Sequence, residues 1–143
     1  MPLENFGSIL NFAAELEKQD RDFFAAAAGN PACAPYREVF EQFAADAAKH
    51  IKTVLRTRRE NVTEMILEPI RDFTRAPYCE ECVAVDRMTL AEALATANRR
   101  VDRAERYYSE AAVKIKALPE VARALKNLAK KHKKHREILV SKQ

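Results

Sequence analysis

The stretch TLAEALATANRRVDRAERYYSEAAVKI, residues 89–115, decides the fold class. Its apolar side chains recur at steps of three and four, the spacing that lines up one face of an α-helix. This stripe consists of Leu90, Leu94, Ala97, Val101, Ala104, Tyr108, Ala111 and Ile115. Thr89 precedes Glu92 by three residues, which is the capping box that satisfies free amides at a helix start. We therefore expect a helix over about residues 90–116 with one buried face.

Three further segments carry the same stripe and predict helices over about residues 4–28, 36–60 and 119–140. One short connection joins the first helix to the second, and another joins the third to the fourth. Each of these two pairs should therefore fold back as an antiparallel hairpin. The middle connection, about residues 61–88, loses the stripe and is long enough to cross the length of a bundle. The sequence thus predicts an all-α, antiparallel four-helix bundle over residues 1–143, with two helical hairpins joined by a long crossover.

Composition supports a single helical domain. The 143 residues suffice for one core, and the 2 glycines cannot supply the turns of a many-stranded sheet. No apolar run approaches the roughly 20 residues that a membrane span requires, and the start of the chain lacks a signal-peptide pattern. The 3 cysteines are too few for a secreted disulfide framework. We expect a cytoplasmic protein that does not associate with membranes.

Ionisable residues on the predicted core stripes are candidate ligands, because a buried ionisable group must be paired or ligated. They are Glu17, Asp20, His50, His132 and His135. The rise per residue places them in one layer near the middle of the bundle. His132 and His135 share one helix face and can converge on a metal ion. The alternative is that the histidines are neutral and hydrogen-bonded internally; Asp46, off the stripe, is read as a solvated charge.

Three stretches carry a family resemblance: FAAELEK at 12–18 followed by Phe23 and Phe24, FAADAAKH at 43–50, and LAKKHKKH at 128–135. With them the chain resembles the ferritin-like superfamily, in particular its rubrerythrin branch, over essentially its whole length. In that family, helices 1 and 3 each provide a Glu seven residues before an aromatic residue. Helices 2 and 4 each provide Glu-x-x-His, and together these residues hold two irons. The resemblance implies a ferritin-like bundle and chemistry on peroxide or oxygen.

Carried over by position, Glu17, His50 and His135 match the family's ligand pattern. Three positions depart from it: Ala47, Val101 and His132. The six positions then supply one carboxylate and three neutral imidazoles. One negative charge is too little to balance the four positive charges of two Fe(II) ions. We therefore expect a degenerate di-iron site with at most one metal ion, held by Glu17, His50, His132 and His135, with Asp20 as an additional candidate. By ligand type the ion is one of zinc, iron, nickel or copper, with iron or zinc preferred.

The crossover contains the Cys-x-x-Cys pair Cys79 and Cys82, a spacing found in zinc knuckles and redox motifs. One pair is half of a four-cysteine site, and Cys33 is a candidate third ligand. A homodimer through the bundle faces would bring two such pairs together. The alternative is that these thiols are structural or incidental.

Basic residues concentrate on the last predicted helix, away from its stripe: Lys130, Lys131, Lys133, Lys134 and Arg136. A solvated face is one interpretation, and an acidic protein partner is the other. No aromatic residues interleave with these charges, so the pattern does not indicate a nucleic-acid surface.

Two functions are consistent with the sequence. The first is a rubrerythrin-like metal-binding protein with a redox or peroxide-related role. The alternative is a metal-free, non-catalytic helical interaction module on a ferritin-like scaffold. The sequence does not decide whether the protein is an enzyme.

Overall fold

The computed structural model describes most of the chain, namely residues 6–60, 73–79, 84–115 and 118–142. Four long helices make up nearly all of it. Their bounds are α1 Phe6–Ala28, α2 Arg37–Glu60, α3 Leu90–Lys114 and α4 Pro119–Lys142. Thr89 caps α3: its hydroxyl accepts from the Glu92 amide, and the Glu92 carboxylate accepts from the Thr89 amide.

The helices pair as two hairpins, because α1 packs along α2 and α3 packs along α4. Gly29, Asn30 and a 3-10 turn over Pro31–Tyr36 join α1 to α2. The Asn30 side chain accepts from the Ala32 amide and so caps this turn. Pro119 starts α4 soon after α3 ends, and proline is well accommodated in a first helical turn.

The described parts of the crossover contact both ends of the bundle. Phe73 and Tyr78 pack against the ring of Tyr107 on α3, with ring centroids 5.6 and 4.9 Å away. Further along the chain, the backbone carbonyls of Val85 and Met88 accept hydrogen bonds from the Asn30 side chain, at 2.8 and 3.0 Å. The described parts of the crossover, residues 73–79 and 84–88, therefore pack at different levels of the bundle. The predicted all-α, ferritin-like four-helix bundle is confirmed.

The core consists of two apolar clusters. The turn cluster lies at the α1–α2 connection and includes Phe23, Phe24, Ala27, Ala28, Cys33, Tyr36, Phe40, Phe43, Val85, Ala93, Ala97, Val101 and Leu139. The far cluster lies toward the α3–α4 connection and includes Ile9, Leu10, Phe12, Leu16, Val54, Phe73, Tyr78, Tyr107, Tyr108, Ile115, Leu118, Val121, Leu125 and Leu128.

A layer of buried polar residues separates the two clusters. Each helix passes from one cluster to the other through this layer, which contains Glu17 and Asp20 on α1, His50 on α2, Arg100 and Arg103 on α3, and His132 and His135 on α4. The fold therefore brings ionisable groups from four helices together in an apolar interior. None of the described helices combines the length and hydropathy that a bilayer span requires.

Candidate metal centre

Glu17 is the central residue of the polar layer, and its side chain is 1% exposed. Its carboxylate contacts one residue from each of the other helices. The Tyr108 hydroxyl donates to Oε2 at 2.6 Å, and His132 Nε2 lies 3.0 Å from the same oxygen. His50 Nδ1 lies 3.4 Å from Oε1. All four helices thus converge on one carboxylate.

Three of these residues offer metal-ligand atoms close enough to share one ion. One atom each from Glu17, His50 and His132 lies within 4.8 Å of the others, and all three residues are buried. Ligand atoms on a tetrahedral ion with bonds of about 2.0–2.2 Å stand about 3.3–3.6 Å apart. The two histidine contacts to Glu17, 3.0 and 3.4 Å, are near that separation. The group could hold one metal ion.

The protonation of this group follows from its contacts. Burial acts against charge, but His132 and His50 beside the carboxylate outweigh burial and hold the pKa of Glu17 well below its usual range. Burial likewise acts to lower the pKa of His132, but Glu17 beside it raises that pKa above its ordinary value. Both shifts favour an ion pair between the two side chains when no metal is bound. A metal ion would have to displace the proton on His132, because only the neutral ring is a ligand.

His135, the fourth predicted ligand, has a different partner. Its Nε2 lies 2.9 Å from Oδ2 of Asp46, whose other oxygen accepts from Gln42 at 2.9 Å. Its ring stacks on Phe43 with centroids 4.1 Å apart. Burial, and next the charge of His132, lower the pKa of His135 to about 4, so that the ring is neutral at pH 7. The structure thus corrects the interpretation of Asp46, which is a hydrogen-bond partner of His135 and not simply a solvated charge.

Asp20, the additional candidate ligand, is bound by two arginines. Its Oδ1 accepts from Arg100 at 3.1 Å and from Arg103 at 2.5 Å. All three side chains are buried, and Arg103 also donates to the Tyr78 carbonyl at 2.8 Å. Burial raises the pKa of Asp20, and the two guanidinium charges oppose that shift. The structure therefore places Asp20 in an ion cluster beside the Glu17 group, and its role as an additional metal ligand stays a prediction.

Of the three positions that depart from the two-iron pattern, only His132 carries a possible ligand atom. Ala47 and Val101 are buried, at 3% and 1% exposure, and their hydrocarbon side chains offer the layer no ligand. A pair of irons needs several carboxylates, and Glu17 is the only one in the described residues that meets two histidines. The donor set present does not fit two metal ions, and its chemistry fits one.

A cleft between α2 and α4 reaches the layer from the surface. His50 and His135 lie at its inner end, and lysines from both helices line it, namely Lys49, Lys131 and Lys134. Part of the basic face predicted on α4 therefore borders an access route to the histidines. Such a route is one requirement for a metal site that exchanges with solvent.

The cysteines do not form a site in the part of the chain that is described. Cys79 is exposed, and its thiol donates to the Arg75 carbonyl at 3.4 Å, while Cys82 lies outside the described residues. Cys33 is buried in the turn cluster, whereas Tyr78, next to Cys79, belongs to the far cluster. Cys33 is therefore not placed as a third ligand beside Cys79.

Sequence reasoning missed Tyr108, Arg100 and Arg103 as polar members of the layer. Tyr108 lies on the core stripe of α3, where the sequence pattern treats it as an apolar ring. The partner of its hydroxyl, Glu17, is on another helix and cannot be identified from the sequence of α3. Asp46 gave a partial signal, because it precedes His50 by four residues and so lies close to the core face of its helix. The sequence does not show that its partner is His135.

A comparison with protein-family models supports this geometry. The family described as Rubrerythrin matches residues 8–141, which is nearly the whole chain. Neither the curated proteins nor the solved structures yielded a match. The family match, the two hairpins with their crossover and the carboxylate–histidine group in the bundle centre agree with one another. The chain therefore belongs to the rubrerythrin family.

Proposed function

We propose that the protein binds one divalent metal ion, iron or zinc, through Glu17, His50 and His132. The observation that carries the proposal is the convergence of these three groups, from three helices, within 4.8 Å in a buried layer. Membership of a ferritin-like, metal-binding family supports it independently. A single ion requires less negative charge than a pair, and one carboxylate with two neutral imidazoles is an ordinary donor set for iron or zinc.

Iron would give the site a redox role. Two histidines and one carboxylate are the ligand types of non-haem Fe(II) sites that keep coordination positions open for an external molecule. The cleft lined by His50 and His135 opens beside this site, and we propose it as the route by which peroxide or another small molecule approaches the ion. We propose a peroxide-related activity for the iron form on this basis, and a structural role for the zinc form.

The metal-free alternative is also supported by a specific observation. Glu17 is surrounded by Tyr108, His132 and His50, so its carboxylate is hydrogen-bonded without any ion. A buried carboxylate that has its partners needs no metal to be stable. In that case the layer is structural and the protein is a non-catalytic helical interaction module.

Metal analysis separates the two functions. Protein purified without a His-tag is incubated anaerobically with Fe(II), or with Zn(II), and then desalted before elemental analysis. We expect one equivalent of metal per chain. A protein that retains no metal after either treatment supports the metal-free module and contradicts our proposal.

Restoring the missing carboxylates is expected to convert the site. The triple variant Ala47→Glu, Val101→Glu, His132→Glu supplies acidic groups at the three departed positions, and should bind close to two irons where the parent binds one. The parent should show neither ferroxidase activity nor paired-iron absorbance. The check is iron content together with the visible spectrum after oxidation. A triple variant that folds but holds no more iron than the parent would show that these positions do not face a common site.

A further inference from the structure

Among the residues that the structure describes, Tyr108 also contacts the Glu17 carboxylate through its hydroxyl but is not part of the metal site proposed above. It donates to Glu17 Oε2 at 2.6 Å, the same oxygen that lies 3.0 Å from His132 Nε2. Its ring stacks on the His132 ring with centroids 5.5 Å apart and planes 16° apart. Tyr108 is 2% exposed, so no bulk water competes for this hydroxyl. A metal ion bonded to Glu17 and His132 would therefore lie beside the phenol oxygen.

The net charge of the polar layer also favours Tyr108 as a ligand. A divalent ion with the Glu17 carboxylate carries a net charge of +1 in an apolar interior. The neighbouring cluster of Asp20, Arg100 and Arg103 carries a further +1, and its members are also buried. Uncompensated buried charge is costly, so another anionic ligand would stabilise the loaded site. Tyr108 is placed to supply it as a phenolate.

We propose that Tyr108 is the fourth metal ligand, which completes a site with one ligand from each helix: Glu17, His50, Tyr108 and His132. On binding, the phenol O–H bond breaks, the oxygen–metal bond forms and the proton leaves to solvent, with no change of oxidation state. Two oxygen and two nitrogen ligands suit a four-coordinate zinc ion and leave further positions open on iron. This inference rests on the proposed metal site.

The test counts tyrosinate formed when Zn(II) is added, by ultraviolet difference absorbance, alongside the amount of zinc bound. The parent protein should form one tyrosinate per bound zinc. Tyr108→Phe should form none and bind zinc at least about 100-fold more weakly, because loss of a ligand costs more than loss of a group that only supports one. Tyr107→Phe is the matched control: the Tyr107 ring is equally buried, but its hydroxyl donates to the Ile9 carbonyl, so this variant should behave as the parent does.

A second readout on the parent protein does not depend on any variant folding. Cu(II) bound by a phenolate has a visible charge-transfer band with tyrosinate ring modes in its resonance Raman spectrum, and we expect both. Zinc bound in one equivalent without tyrosinate overturns the ligand role of Tyr108 but leaves the three-residue site standing. Tyrosinate that persists in Tyr108→Phe also overturns it. A protein that binds no zinc and no copper defeats the metal site and this inference together.

Discussion

Replacing His50 and His132 together with alanine is expected to leave the protein without bound metal. The two rings supply both nitrogen atoms of the candidate site. The oxygen ligands that remain are not expected to retain an ion through desalting. Loss of groups that merely support a ligand costs about 10- to 100-fold in affinity, so loss of a ligand should cost more. For the single variant His132→Gln we expect roughly 100-fold weaker zinc binding, measured by competition with a chromophoric chelator.

His135→Gln is the matched control for that variant. It changes the same residue type on the same helix at similar burial, but the His135 ring is bonded to Asp46 and lies outside the group around Glu17. We expect its zinc affinity to fall by less than about 10-fold, through indirect effects on the neighbouring rings. If His135→Gln weakens binding as much as His132→Gln does, the ion is held by His135 as well, as the residue pattern of the family implies.

Asp20→Ala should have the largest effect on stability of any single substitution discussed here. It leaves Arg100 and Arg103 buried with no compensating carboxylate. Removing one partner of a buried ion pair costs about 3–5 kcal/mol, chiefly because the remaining charge stays desolvated. We expect the free energy of unfolding to fall by about that amount in urea denaturation of the metal-free protein.

Asp22→Ala is the corresponding surface control. Asp22 is also paired with an arginine, Arg21 at 3.3 Å, but its side chain is 73% exposed. Exposed pairs contribute little, so the expected change is within about 0.5 kcal/mol. A loss below about 1 kcal/mol in Asp20→Ala would mean that the buried arginines find other partners or water, and that the cluster contributes little to the fold.

The helices could be predicted because each buries one face, and a buried face leaves a period of three to four in the sequence. The apolar stripe from Leu90 to Ile115 predicts α3 because the side chains of this stripe pack into the two clusters of the core. The path of the crossover could not be predicted in the same way. It is held by irregular contacts, such as the Asn30 side chain on the carbonyls of Val85 and Met88, which leave no period.

The site could be predicted in part for a related reason. Glu17, His50 and His132 interrupt apolar stripes, and an ionisable residue at such a position is recognisable because it must have a partner. The partners themselves were not predictable. Arg100 and Arg103 stand off the stripe of α3 and reach Asp20 with long side chains. Asp46 stands off the stripe of α2, and only the packing of α4 against α2 brings it to His135.

The central claim is that one metal ion is bound by Glu17, His50 and His132. The most direct test is an anomalous-difference map at the zinc absorption edge, from crystals of the protein loaded with Zn(II). Our account predicts a single strong peak within about 2.0–2.2 Å of ligand atoms from these three residues. Two peaks about 3–4 Å apart would contradict it, as would a peak only at Cys79 or no peak at all in the bundle.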